Sequence, residues 1–239
     1  MTKRRRWITR LFAFMVTFAI GLAVSMILLA VRIDSVFRTP APEVIRESRP
    51  NLPDSHSRED DGYYLRNNAT EYQVTLFGAL LTAHQRHNIE QTDERSLDYA
   101  TVIAQNFIAD FFTLTNKDSR SDVGGVQFVA EDVRANFQTY AVDNFYLYLN
   151  HHIERFGMEA LPEIVDITVD NVDFKMRYDD GKGRNLDEPM QTIIVDATWE
   201  FAQTTLEEID GFQTSARITL IETDEGLRIK MIEEIDLER

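Results

Sequence analysis

His84 and His87 stand three residues apart with Glu90 three further on, a spacing that aligns them on one face of a helix and suits metal ligation. No second ligand pair accompanies them, so a solvated helix end is the expected explanation. His151 and His152 are expected near a helix C-terminus, where an imidazolium offsets the helix dipole. Acid–base chemistry of the isomerase or dehydratase kind needs an Asp or His in an apolar cavity beside a tyrosine donor. Tyr140, Asp143, Tyr146, His152 and Asp196 supply those residue types. Ordinary helix polarity accounts for Asp143, and a water-facing strand position accounts for Asp196. Asp179-Asp180-Gly181-Lys182-Gly183 superficially has the look of a calcium loop, but the further acidic ligands and the terminal bidentate Glu are missing, so a turn is expected. Asn68-Ala69-Thr70 is a glycosylation sequon, meaningful only in a eukaryotic cell. No P-loop, Gly-x-Ser-x-Gly or His-Glu-x-x-His string occurs. No catalytic residue, metal ligand or cofactor site is therefore expected. Tyr140, Phe145, Tyr146 and Tyr148 crowd one helix; Tyr148 falls off its apolar stripe and with Tyr140 forms the candidate partner surface.

The elements that position these residues fall into a helical half and a strand half. Tyr72, Leu76, Leu80 and Ala83 form a stripe, with Phe77 and Leu81 beside it, predicting a helix over 70–89. Leu97, Ala100, Ala104, Phe107, Ile108, Phe111 and Leu114 predict a second over about 95–115, capped by Asp93 or Ser96. Asn116 to Gly125 reads as a loop. Val129, Val133 and Phe137 give a short helix. Val142, Phe145, Tyr146, Leu149, Ile153 and Phe156 give a longer one, stopped by Gly157. After Pro162 the apolar period changes from about 3.6 to 2. Val165, Ile167 and Val169 alternate, and Val172, Phe174 and Met176 resume out of phase, predicting a bulge near Asp170-Asn171. Three further strands follow: Ile193 to Phe201, about 213–222 with Ala216, Ile218 and Leu220 inward, and about 227–236 with Leu227, Ile229 and Met231 inward. Asp224-Glu225-Gly226 turns between the last two. Four consecutive strands joined by turns make an antiparallel meander, which the helices must cover on one face.

Ahead of this domain, Lys3, Arg4, Arg5, Arg6 and Arg10 precede an uncharged run from Leu11 to Val31. At about 1.5 Å per residue such a run crosses the hydrocarbon core of a bilayer. The basic tail places the N-terminus in the cytoplasm and the rest outside. A cleaved signal peptide is the competing reading; Ala23-Val24-Ser25 is a passable site, but the apolar run is long for one and cleavage would leave Met26–Val31 as an apolar N-terminus. Residues 38–62 hold Pro40, Pro42, Pro50 and Pro53 among many charges, the composition of an extended stalk. The expected organisation is a tail over 1–10, a transmembrane helix over 11–31, a stalk over 32–62 and an extracytoplasmic α+β domain over 63–239.

The part beyond residue 32 has 19 basic residues against all 40 acidic ones, a formal charge of −21. Such a surface repels phosphate backbones, so no nucleic-acid partner is expected. Cysteine is absent, which excludes disulfides, zinc–thiolate sites and thiol catalysis.

Helices followed by a four-stranded meander, with NFIADFFTLTNKDSR, a loop and FVAEDVRANFQTYAVDNFY ahead of the strands, resemble the nuclear-transport-factor-2-like cone. The whole layout is similar to the bitopic assembly subunit of type IV secretion and conjugation systems, of the Gram-positive conjugative-element type. The resemblance is one of architecture, and no functional residue is carried over from it. It implies about three helices packed on a curved four-stranded antiparallel sheet. It also implies a non-enzymatic scaffold in the cell membrane that self-associates and contacts other subunits of a membrane machine. A small-molecule binding or sensing domain, a pocket enzyme of the same fold, and an accessory module of a division or sporulation complex stay open as alternatives.

Overall fold

In the computed structural model the chain divides into two compact units, Met1–Pro53 and Asp54–Arg239. The structure describes residues 56–60, 62–179, 185–203 and 212–235. The basic tail, the apolar run over 11–31 and most of the stalk lie outside the described residues, as do residues 180–183 of the turn expected over 179–183. No helix among the described residues is long and apolar enough to cross a membrane.

The second unit is α+β. Strands β1 (His56–Asp60) and β2 (Tyr63–Arg66) pair antiparallel, so the end of the stretch read as stalk carries regular structure. Helix α1 (Glu71–Ile89) starts where Thr70 and Gln73 satisfy each other's backbone N–H groups in a capping box. Its buried stripe is Leu76, Phe77, Leu80 and Leu81. Helix α2 (Asp93–Phe112) is capped by Thr92, not by Asp93 or Ser96: the Thr92 hydroxyl accepts from Arg95 N–H. It stops at Phe112, short of the expected end, because its last residues are tied to the sheet. Leu114 N–H donates to Pro162 O at 2.8 Å, and Ile164 N–H donates to Thr113 Oγ1 at 3.3 Å.

The long helix expected over 142–156 is broken. Helix α3 (Glu131–Tyr140) runs into one wide π turn, Ala141–Phe145, and α4 (Leu149–Phe156) follows after a further turn. The Tyr146 N–H donates to Ala141 O, five residues back, at 2.8 Å. The wider turn lets two consecutive residues face inward: Phe145 and Tyr146 both pack on Phe111, with ring centroids at 4.7 and 5.3 Å. Gly157, at φ +83°, ends α4 as expected.

The sheet is a meander in the order β3 (Ile164–Asp179), β4 (Asn185–Phe201), β5 (Ser215–Thr223), β6 (Gly226–Glu233), antiparallel throughout. The expected bulge appears as a register shift between Val169 and Asn171. Ile193, Val195, Ala197, Trp199, Ala216, Ile218, Leu220, Leu227 and Ile229 form one buried face, covered by the helices. Met231 does not join it. A register shift between Thr219 and Leu220 sets Met231 opposite Thr219, on the outer face, and Ile232 opposite Ile218 takes the inward position. Among the described residues only Ile193–Thr198 of β4 pair with β5, so β3 from Lys175 onward and β4 up to Thr192 extend past the sheet as a two-stranded ribbon.

Candidate functional site

Tyr140 closes α3 and Tyr148 precedes α4, one on either side of the π turn. Their side chains are 68% and 65% exposed. Leu147 and Phe156 are exposed on the same segment, and the Arg155 guanidinium lies over the Phe156 ring at 4.9 Å. The π turn sends Phe145, Tyr146 and Leu149 inward, and these inward residues leave Leu147 and Tyr148 outside. Large apolar side chains held on an exposed, well-anchored segment are the usual material of a protein contact.

Beneath this segment lies an ionic cluster that sequence reasoning passed over as a loop. Lys117 has no solvent exposure. Its Nζ donates to Asn116 Oδ1 at 2.7 Å and to Asp110 Oδ1 at 3.3 Å. Arg66 of β2 reaches Asp110 Oδ1 through Nε at 2.8 Å and Asp122 Oδ1 through Nη1 at 2.7 Å. Gly125 N–H donates to Asp110 Oδ2 at 2.7 Å, and Asp118 N–H donates to Asp122 Oδ2 at 3.1 Å. Burial alone would raise the Asp110 carboxyl, but Lys117, Arg66 and the Gly125 N–H together bring it down to about 2. Burial pushes the Lys117 ammonium down to about 8, against the pull of Asp110. Burial also works against the Arg66 cation, and Asp110 and Asp122 outweigh it, holding its pKa above the ordinary value. Two cations face two carboxylates, each bonded to protein groups, so the cluster is neutral and pins residues 116–125 to α2 and β2.

Gly124 and Gly125 make this approach possible. A Cβ on Gly124 would lie 2.1 Å from the Asp110 carbonyl oxygen, and one on Gly125, at φ +72°, would lie 2.5 Å from the Phe107 ring. Tyr146 closes the cluster from the other side, donating to Phe111 O at 2.6 Å and accepting from Gly124 N–H at 3.4 Å. Burial, and then the Asp110 charge, raise its hydroxyl pKa well above the ordinary value. The adjacent glycines and the lone Lys117 between Asp110 and Asp122 were the available sequence signals.

The histidine pairs are placed otherwise than expected. His87 is buried, not solvated, and its ring lies 5.0 Å from that of Tyr99; His84 stacks on Tyr99 at 5.3 Å. Tyr99 in turn is hydrogen-bonded to Tyr63 at 2.5 Å, and Arg228 Nη1 donates to Tyr63 Oη at 3.2 Å. His151 and His152 sit in the first turn of α4, not at its C-terminal end, because the π turn delays the helix. No group of three or more His, Asp or Glu among the described residues is arranged to hold a metal ion. The residue types weighed for acid–base chemistry do not converge. Tyr146 is sealed in the ionic cluster, Asp143 and Tyr140 are exposed, and Asp196 is nearly buried, accepting from Arg217 Nε at 2.7 Å and Nη2 at 2.9 Å. No family model, curated protein or solved structure matches the chain.

Proposed function

We propose that the protein is a membrane-anchored, non-enzymatic assembly subunit of a conjugation or type IV secretion-like apparatus. Its α+β domain would be of the nuclear-transport-factor-2-like cone type and stand outside the cell membrane on the single span over 11–31. The observation that carries this reading is where the large apolar side chains lie. Phe107, Phe111, Phe112, Phe145 and Trp199 fill the space between helices and sheet, with Phe112 and Trp199 centroids 4.4 Å apart. Four of the exposed ones, Tyr140, Leu147, Tyr148 and Phe156, gather on the surface around the π turn. A filled interior with an apolar outer segment favours contact with other proteins over turnover of a small molecule.

The test is affinity purification of the full-length protein from its own membranes, followed by mass spectrometry. The expected companions are a coupling ATPase, channel subunits or a wall hydrolase. Recovery of the protein alone, or with division or sporulation proteins only, would overturn the reading.

A second reading, small-molecule binding, draws on one feature. An open recess of about 1150 Å³ at the end of the sheet is lined by residues that include Thr168, Thr198, Trp199, Phe212 and Gln213. The Trp199 Nε1–H beside it is buried and has no hydrogen-bond partner among the described residues. A co-purified ligand lost on Trp199→Phe substitution would favour this reading.

A further inference from the structure

The outer half of β3 is an open sheet edge. β3 is the first strand of the sheet, and among the described residues only β4 pairs with it. Near its start the edge is engaged: Tyr72 of α1 forms a hydrogen bond to the Ile167 backbone. Beyond the bulge after Val169 the strand stays the edge of the four-stranded sheet as far as Phe174 and runs on from Lys175 as half of the ribbon, with Met176 and Tyr178 51% and 66% exposed. A two-stranded ribbon is marginal in water, and an unpaired edge is a template for another strand.

We propose that this edge pairs antiparallel with the same edge of a second copy, about a two-fold axis through Phe174. The sequence Val172-Asp173-Phe174-Lys175-Met176 is complementary to itself in that register. Asp173 falls opposite the partner's Lys175 and Lys175 opposite its Asp173, while Val172 faces Met176 and Phe174 faces Phe174. Strand geometry fits as well. The Ile167 backbone points away from β4, and counting across the bulge brings Val172, Phe174 and Met176 to the same outward orientation. Phe174 and its copy then form a hydrogen-bonded pair. Asp173 and Lys175 form the closer, non-hydrogen-bonded pairs, where opposite charges help most. Within one copy Lys175 Nζ and Asp173 Oδ2 pair at 3.1 Å with both side chains more than half exposed, so across the edge each exchanges this partner for the same group of the second copy. The contact is isologous and closes as a dimer. This inference deepens the assembly-subunit reading and rests on it only for the need to self-associate.

The chain has no cysteine, so introduced thiols are unique. In the full-length protein in its own membranes, Phe174→Cys is expected to form a disulfide-linked dimer on mild oxidation, since facing Cα atoms lie about 5.5 Å apart. Met176→Cys alone is expected not to, because its copies would be separated by about 13 Å along the strands. Val172→Cys combined with Met176→Cys is expected to cross-link, which covers loss of the half-buried Phe174 ring. Lys175→Asp should weaken dimerisation about tenfold by setting carboxylates opposite each other twice, and adding Asp173→Lys should restore it. Absence of the dimer from both Phe174→Cys and the double variant would overturn the proposal. So would equal cross-linking at Met176→Cys, or a disulfide to a different protein. A dimer found together with a failed search for machine partners would sink the apparatus and leave the edge.

Discussion

Replacing Asp110 by Asn removes one charge from a neutral buried cluster without changing its shape. The Asp110 carboxylate accepts from Arg66 Nε, Lys117 Nζ and Gly125 N–H. The amide keeps at most part of that set and leaves two cations facing one carboxylate. Holding the carboxyl at about 2 instead of its ordinary 3.8 corresponds to about 2–3 kcal/mol of native stability at neutral pH. Stranding the Lys117 ammonium adds to this, and breaking a buried pair by removing one partner costs about 3–5 kcal/mol in general. The expected loss is therefore about 3–5 kcal/mol, a large part of a typical domain's total. Denaturation by urea, followed through Trp199 fluorescence in full-length protein with Trp7 replaced by Phe, measures it. The sign with pH is also fixed. The folded-state pKa is depressed, so the contribution is complete above about pH 4 and fades as pH falls through about 2. Asp110→Asn should flatten that acid limb. Adding Lys117→Met to Asp110→Asn should recover part of the loss, because the stranded charge is gone. A loss below about 1 kcal/mol with an unchanged acid limb would refute the claim that this cluster holds the loop.

Other perturbations separate structural roles from surface ones. Tyr140→Ala and Tyr148→Ala should each change stability by less than about 0.5 kcal/mol while reducing recovery of membrane partners in the pull-down. Gly124→Ala should destabilise by about 2–3 kcal/mol or more, since its Cβ meets a backbone oxygen; Gly226→Ala, at φ +89° with only Arg228 Nη1 nearby at an ordinary contact distance of 3.8 Å, should cost only about 1 kcal/mol, and thermal melts of the pair check the contrast. Lys117 carries a cost of burial where Asp110 contributes stability, and that cost shows at alkaline pH. Its folded-state pKa is lowered to about 8, so the cost of burying it is present below that pH and is relieved between about 8 and 10.5, where the unfolded chain still binds the proton. Stability of the wild type should rise over that interval relative to Lys117→Met.

The alternation from Ile167 and the out-of-phase restart at Val172 were enough to read a long bulged strand, because the side-chain period of a strand is written directly in the apolar pattern; Val165 was misplaced, since a further register shift between Ile164 and Asp166 buries Ile164 and leaves Val165 exposed. The inward faces of β4 and β5 were legible for the same reason. Met231 was misread because a bulge in β6 leaves no mark in Leu227, Ile229 and Met231 themselves; only Ile232, equally apolar, offers the alternative. The π turn was hidden likewise. Phe145 and Tyr146 fit a single regular stripe on paper, and the need of both rings to reach Phe111 is a tertiary fact. The ionic cluster was illegible as a site because Arg66, Asp110, Lys117 and Asp122 come from different elements. Ordinary expectation places such residues in water unless partners are known. His87 failed in the same way: a histidine near a helix end reads as solvated until Tyr99 is seen beneath it.

The two edges of the sheet are treated differently, and the difference bears on assembly. β6 is covered: Ala130 N–H donates to Ile229 O at 2.9 Å, Val129 bridges the same residue, and Arg134–Glu225 and Lys230–Asp132 pairs tie the start of α3 across it. Among the described residues β3 is engaged near its start only, where Ile164 N–H donates to Thr113 Oγ1 at 3.3 Å and Tyr72 bonds the Ile167 backbone. A sheet open at both edges can add copies without limit, because each new strand presents another edge. A sheet open at one edge pairs once and stops, since the second copy brings only its own covered β6 to the outside. A subunit that must associate at defined stoichiometry beside a membrane gains from that asymmetry. Exposing the β6 edge should remove it. Val129→Pro leaves Val129 without an N–H and bars the helical conformation for the preceding residue, but it leaves the Ala130 N–H donor in place; Ala130→Pro deletes that donor to Ile229. If edge cover limits assembly, Ala130→Pro should shift cross-linked Phe174→Cys dimers toward higher species at equal protein concentration, and Val129→Pro should do so less. Unchanged dimers in Ala130→Pro, with the fold intact by circular dichroism, would show that the covered edge plays no part in setting the number of copies.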